Sequence, residues 1–570
     1  MQMEMREIRR HETILTRPFD GGTARPYDSA SDEKLSKNRR SLRSEGGHVK
    51  TILRSGLVIL LLTGVAAAAD EAAKATAAKT ESAPAETEKP PKEESSVTEH
   101  SIRIGGAVVP YKATAGTILL KDDEGNPTAS VFYVAYTRTD VKSLADRPLT
   151  FSYNGGPGSS SIWLHMGALG PRRIVTADAG PTPPPPYRIV DNADSIIDKT
   201  DLVMIDPVGT GFSHAVGKAK NKDFWGVDED ARSLARFIVS YVTRNGRWNS
   251  PKYLLGESYG TTRSAVIVND LQGRDNMAFN GVVLVSMALD FETIAFHRGH
   301  DISYVLYIPS YAATAWYHKT LAEPPASLDP LLKEAREFAF GPYADALRKG
   351  DAIGAAEKQS VAKTMARLTG LPVDYCLKAN LRVDLAQFMV ELQRRSGLTT
   401  GRLDSRFSGP TPDILSENAE YDPQETAISS AFTAAFHHYL HHELKFDGDR
   451  PYEVESDEVG RNWNWKRTGR GRGFGWPGST NVGPDLAEAI VGNPNLQVEV
   501  ECGIYDMATP FAASEWTVDH LGLPEKVRGN VSLKYYDAGH MMYVHEADLA
   551  KLKANVAAFI DRTSSHQPMP

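Results

Sequence analysis

The pentapeptide Gly256-Glu257-Ser258-Tyr259-Gly260 sets a serine between two glycines. A short apolar run, Tyr253–Leu255, precedes it, and the pattern of Thr261–Leu271 predicts a helix after it. Strand, tight turn and helix in that order make a nucleophile elbow. The turn lifts the hydroxyl clear of the sheet, and the glycines let strand and helix approach closely. A serine hydroxyl needs a base, and the base needs an orienting acid. In this architecture they follow in the order Ser, Asp, His. Asp506 comes just after the strand-like run Val498–Glu501, and His540 just after Val531–Tyr536. Two backbone N–H groups must also face the oxyanion of an acyl-transfer reaction. One falls to Tyr259, the residue after the nucleophile. The other falls to the loop Asn154-Gly155-Gly156-Pro157-Gly158, whose backbone can approach closely.

The elements that must carry these residues are legible as short apolar runs ending in Gly-, Asp- or Pro-rich turns. They are Leu149–Tyr153, Leu202–Ile205, Tyr253–Leu255, Val282–Val285, Val498–Glu501 and Val531–Tyr536. Between two of them, Asp228–Arg244 puts Ala231, Leu234, Phe237, Ile238, Tyr241 and Val242 on one helical face, with Gly246 as the stop. Apolar strands alternating with helices predict a mostly parallel sheet covered on both faces. Thr117–Leu120 and Ala129–Tyr136, joined by the turn Glu124–Pro127, predict an antiparallel hairpin ahead of it. The alternation breaks over 291–489, which reads as a helical cap, with helices at Ser303–His318, Asp329–Arg348, Asp351–Thr369, Asp384–Ser396 and Thr426–Leu444.

Taken together, the motifs resemble those of the serine carboxypeptidases. Asn154-Gly155-Gly156-Pro157-Gly158-Ser159-Ser160-Ser161 is similar to the family's oxyanion loop. Pro207-Val208-Gly209-Thr210-Gly211-Phe212-Ser213 is similar to its P-x-G-x-G-F-S segment, and Gly539-His540-Met541 to its histidine motif. The resemblance implies an α/β-hydrolase fold with the catalytic unit at 100–290 and 490–570 and the cap at 291–489. It implies Ser258 as nucleophile, His540 as base and Asp506 as orienter, with the N–H groups of Gly156 and Tyr259 as oxyanion hole. It also implies that Asn154 and Glu257 hold the substrate's terminal carboxylate. Two carboxyl groups share a hydrogen bond only if one keeps its proton, so Glu257 needs a raised pKa. Several positions depart from the family pattern: Ser152 for a tryptophan, Ser159 for a cysteine, Ile205 for an aspartate that here falls at Asp206. Ala168 replaces an acidic residue that shares a proton with the glutamate, and Met542-Tyr543 replace Val-Pro.

The implied activity is that of an exported serine carboxypeptidase acting on peptides. An esterase or acyltransferase built on the same triad is the alternative, because the oxyanion machinery does not dictate the leaving group. A binding protein with a vestigial triad is a third, non-enzymatic reading.

The rest of the chain bounds this picture. In 570 residues, 64 basic and 72 acidic side chains give a net charge of −8, which excludes wholesale nucleic-acid binding. The Arg/Gly run Arg467–Gly475 is expected to be a cap loop. His437, His438, His441 and His442 have helical i, i+4 spacing but no glutamate in H-E-x-x-H position, so a half-exposed helix is expected, with no metal or other cofactor. Cys376 and Cys502 exclude a disulfide scaffold, although the two could pair with each other. Leu57–Val65 and Ala66–Ala69, preceded by Lys50 and Arg54, have the layout of a signal peptide over 49–69 and are too short for a stable membrane anchor. Residues 1–48 form a polar extension upstream of an expected true start at Val49, and 70–99 read as a solvated Ala/Glu/Lys/Pro linker. The sequence carries no signature of oligomeric state.

Overall fold

The computed structural model describes residues 91–448, 450–468 and 478–564. The polar extension, the signal-peptide segment and most of the linker lie outside them. The end of the linker does not: β1 (Ser95–Ile104) already pairs along its whole length with β2 (Ala107–Lys121). The reading of 70–99 as linker therefore ends five residues too late. Its last stretch is a polar edge strand whose alternation is too weakly apolar to stand out.

β2 and β3 (Pro127–Arg138) form the expected hairpin, longer than the apolar runs that announced it. Gly125 at φ 88° turns the chain, and Asp122 Oδ1 accepts from the Asn126 N–H at 2.7 Å. β4 (Leu149–Tyr153) follows, then a small separate ribbon, β5 (Arg172–Ile174) with β6 (Ile189–Asp191). Next come β7 (Asp201–Ile205), a two-residue β8 (His214–Ala215) beside β3, β9 (Lys252–Glu257) and β10 (Gly281–Val285). In the inserted stretch β11 (Leu398–Thr400) pairs with β12 (Ser408–Pro410), and β13 (Gln497–Gly503) and β14 (Val531–Tyr536) complete the main sheet.

The main sheet runs β1-β2-β3-β7-β4-β9-β10-β13-β14. It is antiparallel as far as β7 and parallel from there on. The central strands β4, β7, β9 and β10 are buried at every residue, as strands covered on both faces must be. Helices Val227–Arg244 and Tyr259–Arg274 bury their apolar sides in the core on one face. Glu546–Ser564 packs on the other. This is the α/β-hydrolase fold.

The inserted stretch is mostly helical, with a core of its own in which Tyr311 and Phe388 stack at 3.8 Å. Four local readings change. The helix expected over Asp329–Arg348 breaks at Gly341, where Pro342 removes a donor and Gly341 leaves helical geometry. The short pair β11–β12 occurs where no strand was read. Helix Gly483–Gly492 already lies against Tyr259–Arg274, with Gln272 donating to the Ala489 carbonyl, so the catalytic unit resumes before residue 490. Helix Pro423–His442, expected as part of the cap, instead buries its apolar side in the core of the sheet, and its Phe432 packs against Trp163 beside the Asn154 loop.

Candidate active site

Ser258 stands between β9 and helix Tyr259–Arg274 with φ 59° and ψ −128°. A non-glycine residue in that region is strained, and packing holds it there. A Cβ at Gly256 would lie 2.2 Å from the Gly260 carbonyl oxygen, and one at Gly260 2.9 Å from that of Tyr153. The Ser258 N–H donates to Val285 of the next strand at 2.9 Å. The turn is thus closed from both sides, and the half-buried serine faces the cleft.

His540 and Asp506 meet past the ends of β14 and β13. Their Nδ1 and Oδ2 atoms are 2.8 Å apart, and both side chains are buried. The Ala508 and Thr509 N–H groups donate to Asp506 Oδ1, and the Thr509 hydroxyl donates to Oδ2, each at 2.8 Å. These donors fix the carboxylate, which fixes the tautomer of the imidazole with Nε2 left as acceptor. Burial pulls the His540 pKa down, but the Asp506 charge and hydrogen bond, with Glu257 nearby, lift it above the ordinary histidine value. The His540 N–H donates to the Leu403 carbonyl at 2.6 Å, and the Ser286 hydroxyl to the His540 carbonyl at 2.7 Å.

The loop after β4 closes the other side. A Cβ at Gly155 would lie 2.4 Å from the Tyr259 nitrogen, so the loop backbone and the start of the helix are in direct contact. Gly156 takes φ 98°, and a Cβ there would collide with the Gly158 nitrogen at 2.6 Å. Asp206 fastens the loop from below by accepting from the Ser161 N–H at 2.8 Å, while the Ser161 hydroxyl donates to Ile205. The displaced aspartate therefore has a structural job one place along from the family position, and burial pushes its pKa up to about 6.

Asn154 Nδ2 donates to Glu257 Oε1 at 2.8 Å, and Asn154 Oδ1 accepts from the Leu164 N–H at 2.9 Å. The other Glu257 oxygen is buried without a hydrogen bond, and burial pushes this carboxyl up to about 7. Ser258, His540, Asn154, Gly156 and Glu257 line one cleft of about 380 Å³; Asp506 lies behind His540. The Tyr259 side chain turns away from the cleft, packing on Trp463 and over Arg263. Its backbone nitrogen lies against Gly155 of the loop after β4.

Three features were not read from sequence. Tyr543, noted only as a departure, turns its hydroxyl toward Glu257 and Asn154, and Gly167 makes room for its ring: a Cβ there would be 2.5 Å from Tyr543 Cε2. Thr509 supports Asp506. The segment Gly401–Phe407 from the cap runs beneath the His540 loop, with Asp404 Oδ2 accepting from the Gly539 N–H at 3.0 Å, and brings Arg402 into the cleft. The charge pattern Arg402-Leu403-Asp404-Ser405-Arg406 was the available signal.

The remaining candidates lie elsewhere. The histidines of Pro423–His442 are half-buried or exposed; His441 contacts Asp447, and His438 stacks on His442 at 4.1 Å. Arg467 is buried among Asp228, Asp270 and Asp485. The run from 469 to 475 lies outside the described residues. Cys376 and Cys502 do not pair: both are free and buried, one in the cap core and one in the sheet core.

Residues 106–319 match the family model of the serine carboxypeptidases. The match takes in the Asn154 loop, the Pro207–Ser213 segment and the serine elbow. The pheromone-processing carboxypeptidase KEX1 of Saccharomyces cerevisiae (strain JAY291) is 33% identical over 123 residues, which is 21% of this chain and 16% of the yeast protein. Serine carboxypeptidase-like 50 of Arabidopsis thaliana is 32% identical over 139 residues, 23% of this chain and 28% of the plant protein. The match thus spans between 16% and 28% of the length of these curated relatives. Among solved structures, that of KEX1(delta)p, a prohormone-processing carboxypeptidase from Saccharomyces cerevisiae, has a TM-score of 0.49 at 17% identity, covering 80% of this chain and 91% of that one.

Proposed function

We propose that this chain is an exported serine carboxypeptidase that removes C-terminal residues from peptides through an acyl-enzyme. Ser258 attacks the terminal peptide carbonyl while His540 Nε2 takes its proton. Asp506 holds the imidazole and stabilises its cation. The N–H groups of Gly156 and Tyr259 face the oxyanion. His540 then returns the proton to the leaving amino acid, and water repeats the sequence to release the shortened peptide.

The observation that carries the choice of an exopeptidase is the buried Asn154–Glu257 pair beside Ser258. A carboxyl group with a pKa of about 7 keeps its proton in mildly acid solution and can donate it to a free carboxylate. An ester substrate has no use for such a donor. Export is supported by the signal-peptide layout of 49–69, with cleavage after Ala69; among the described residues no helix is long and apolar enough to cross a membrane.

One observation favours the second reading, an esterase or acyltransferase. Ala168 offers no acid to share the Glu257 proton, and its carbonyl is taken by Asn192 at 2.8 Å. A matched peptide acid and peptide amide decide between them. The acid is expected to be cleaved faster below about pH 7, with the preference fading above it as Glu257 ionises. An amide cleaved as well as the acid at every pH between about 4 and 8 would promote the esterase.

A further inference from the structure

We propose that the guanidinium of Arg402 receives the substrate's free C-terminal carboxylate, which makes it a specificity-determining residue of the exopeptidase. The inference rests on the carboxypeptidase reading and deepens it. Arg402 belongs to the cap, yet its backbone is tied to the catalytic loops. Its N–H donates to Asp422 Oδ2 at 2.7 Å, its carbonyl accepts from Met507 just after Asp506 at 3.1 Å, and the next carbonyl accepts from His540. The side chain is exposed and lines the same cleft as Asn154, Glu257, Ser258 and His540.

Its charge is unspent. Among the described residues the guanidinium forms no hydrogen bond, and no carboxylate lies within 4.0 Å of it. Neighbouring arginines are otherwise engaged: Arg406 with Asp404 and Asp178, and Arg461, on the same cleft, with Asp457 at 3.9 Å. Glu425 and Glu455 are the acids that feel its field, and burial pushes both up in pKa, Glu455 to about 7.

The cleft needs such a cation. Asn154 has given one side-chain N–H to Glu257, and its oxygen to Leu164. That leaves one amide N–H, one carboxyl proton and the Tyr543 hydroxyl turned toward them. Neutral donors alone compensate poorly for drying an anion. A guanidinium supplies both full charge and a two-pronged fork of the right shape. With the acidic partner of Glu257 replaced by Ala168, Arg402 supplies from the cap what the family pattern draws from an acid pair.

The test uses the full chain and a matched N-acyl dipeptide acid and amide at about pH 6. Arg402→Gln is expected to lower the acid-to-amide ratio of kcat/KM by about 10- to 100-fold, the loss of a charge-assisted contact, mostly through the KM of the acid. Arg402→Lys, a point charge without the fork, should fall between. A folded Arg402→Gln protein with the wild-type ratio overturns the proposal. Absence of any acid preference in the wild type instead overturns the carboxypeptidase reading itself. A second measurement does not depend on the variants folding. Phenylglyoxal should label Arg402 in the Ser258→Ala protein, and the peptide acid, but not the amide, should protect it. Equal protection by both overturns the assignment.

Discussion

Asp506 and Glu257 are both buried carboxyl groups beside His540, and their hydrogen bonds differ sharply. Asp506 accepts from two backbone N–H groups, a threonine hydroxyl and the imidazole. Glu257 accepts from Asn154 on one oxygen; the other forms no hydrogen bond, although the Tyr543 hydroxyl is turned toward the carboxyl. Glu257 therefore titrates at about 7 in the fold against 4.5 in an open chain. Above 4.5 the unfolded chain releases its proton first, so folding stability falls as pH rises to about 7 and then levels off. At 1.36 kcal/mol per unit the loss is on the order of 3 kcal/mol. Glu257→Gln removes it. Urea denaturation should find the variant more stable than wild type at pH 8, and little different at pH 4. The same offset at both pH values would contradict the raised pKa. Ser258→Ala and His540→Ala should leave a folded protein whose kcat is about 10⁴- to 10⁶-fold lower, read by peptide hydrolysis and by loss of fluorophosphonate labelling at residue 258. Activity near wild type in a folded Ser258→Ala protein would remove the nucleophile assignment. Residues of this kind were legible because each sits in a local motif at a strand end. Arg402 and Tyr543 were not, since their partners are fixed only by packing: Arg402 meets Met507 and His540 from more than a hundred residues away.

Among the elements, the central strands were the most legible, because burial on both faces demands continuous apolar runs. β1 escaped because it alternates polar residues along an edge. The break at Gly341 escaped because the flanking helical pattern continues past it. The cap segment Gly401–Phe407 is the element whose role could only be seen in three dimensions. Its Asp404 is fully buried and is held by Arg406 through two guanidinium nitrogens, while accepting from the Gly539 N–H. A Cβ at Gly539 would lie 2.4 Å from the Asp404 Cα, so the His540 loop rests directly on this segment. Asp404→Ala leaves a nearly buried guanidinium without its main partner, which costs about 3–5 kcal/mol. It also frees the loop that aims His540. Thermal melting should show the stability loss, and kcat should fall at temperatures where the variant is still folded. An unchanged kcat in the folded variant would mean that the cap segment only stabilises and does not position the histidine.

At the scale of the whole molecule, the two cysteines show how the parts are held together. An oxidising destination would allow Cys376 and Cys502 to pair, and sequence supplies no distance to forbid it. In the fold each is committed to a different core. Cys376 sits in helix Val373–Lys378 within the cap's own cluster, and Cys502 lies in β13 under the catalytic helices. Burial pushes the Cys376 thiol up to about 12 and the Cys502 thiol higher still. Exchange and oxidation proceed through the thiolate, which neither site favours. Cap and sheet are therefore joined by packing and by segments such as Gly401–Phe407, which bonds Thr314 on one side and Gly539 on the other, rather than by a covalent bridge. A thiol reagent such as Ellman's should find no reactive cysteine in the native chain and two after denaturation in urea without reductant. Dithiothreitol should leave the melting temperature unchanged. A single-step loss of stability on reduction, with no free thiol in the unreduced denatured chain, would show that the two cores are linked covalently after all.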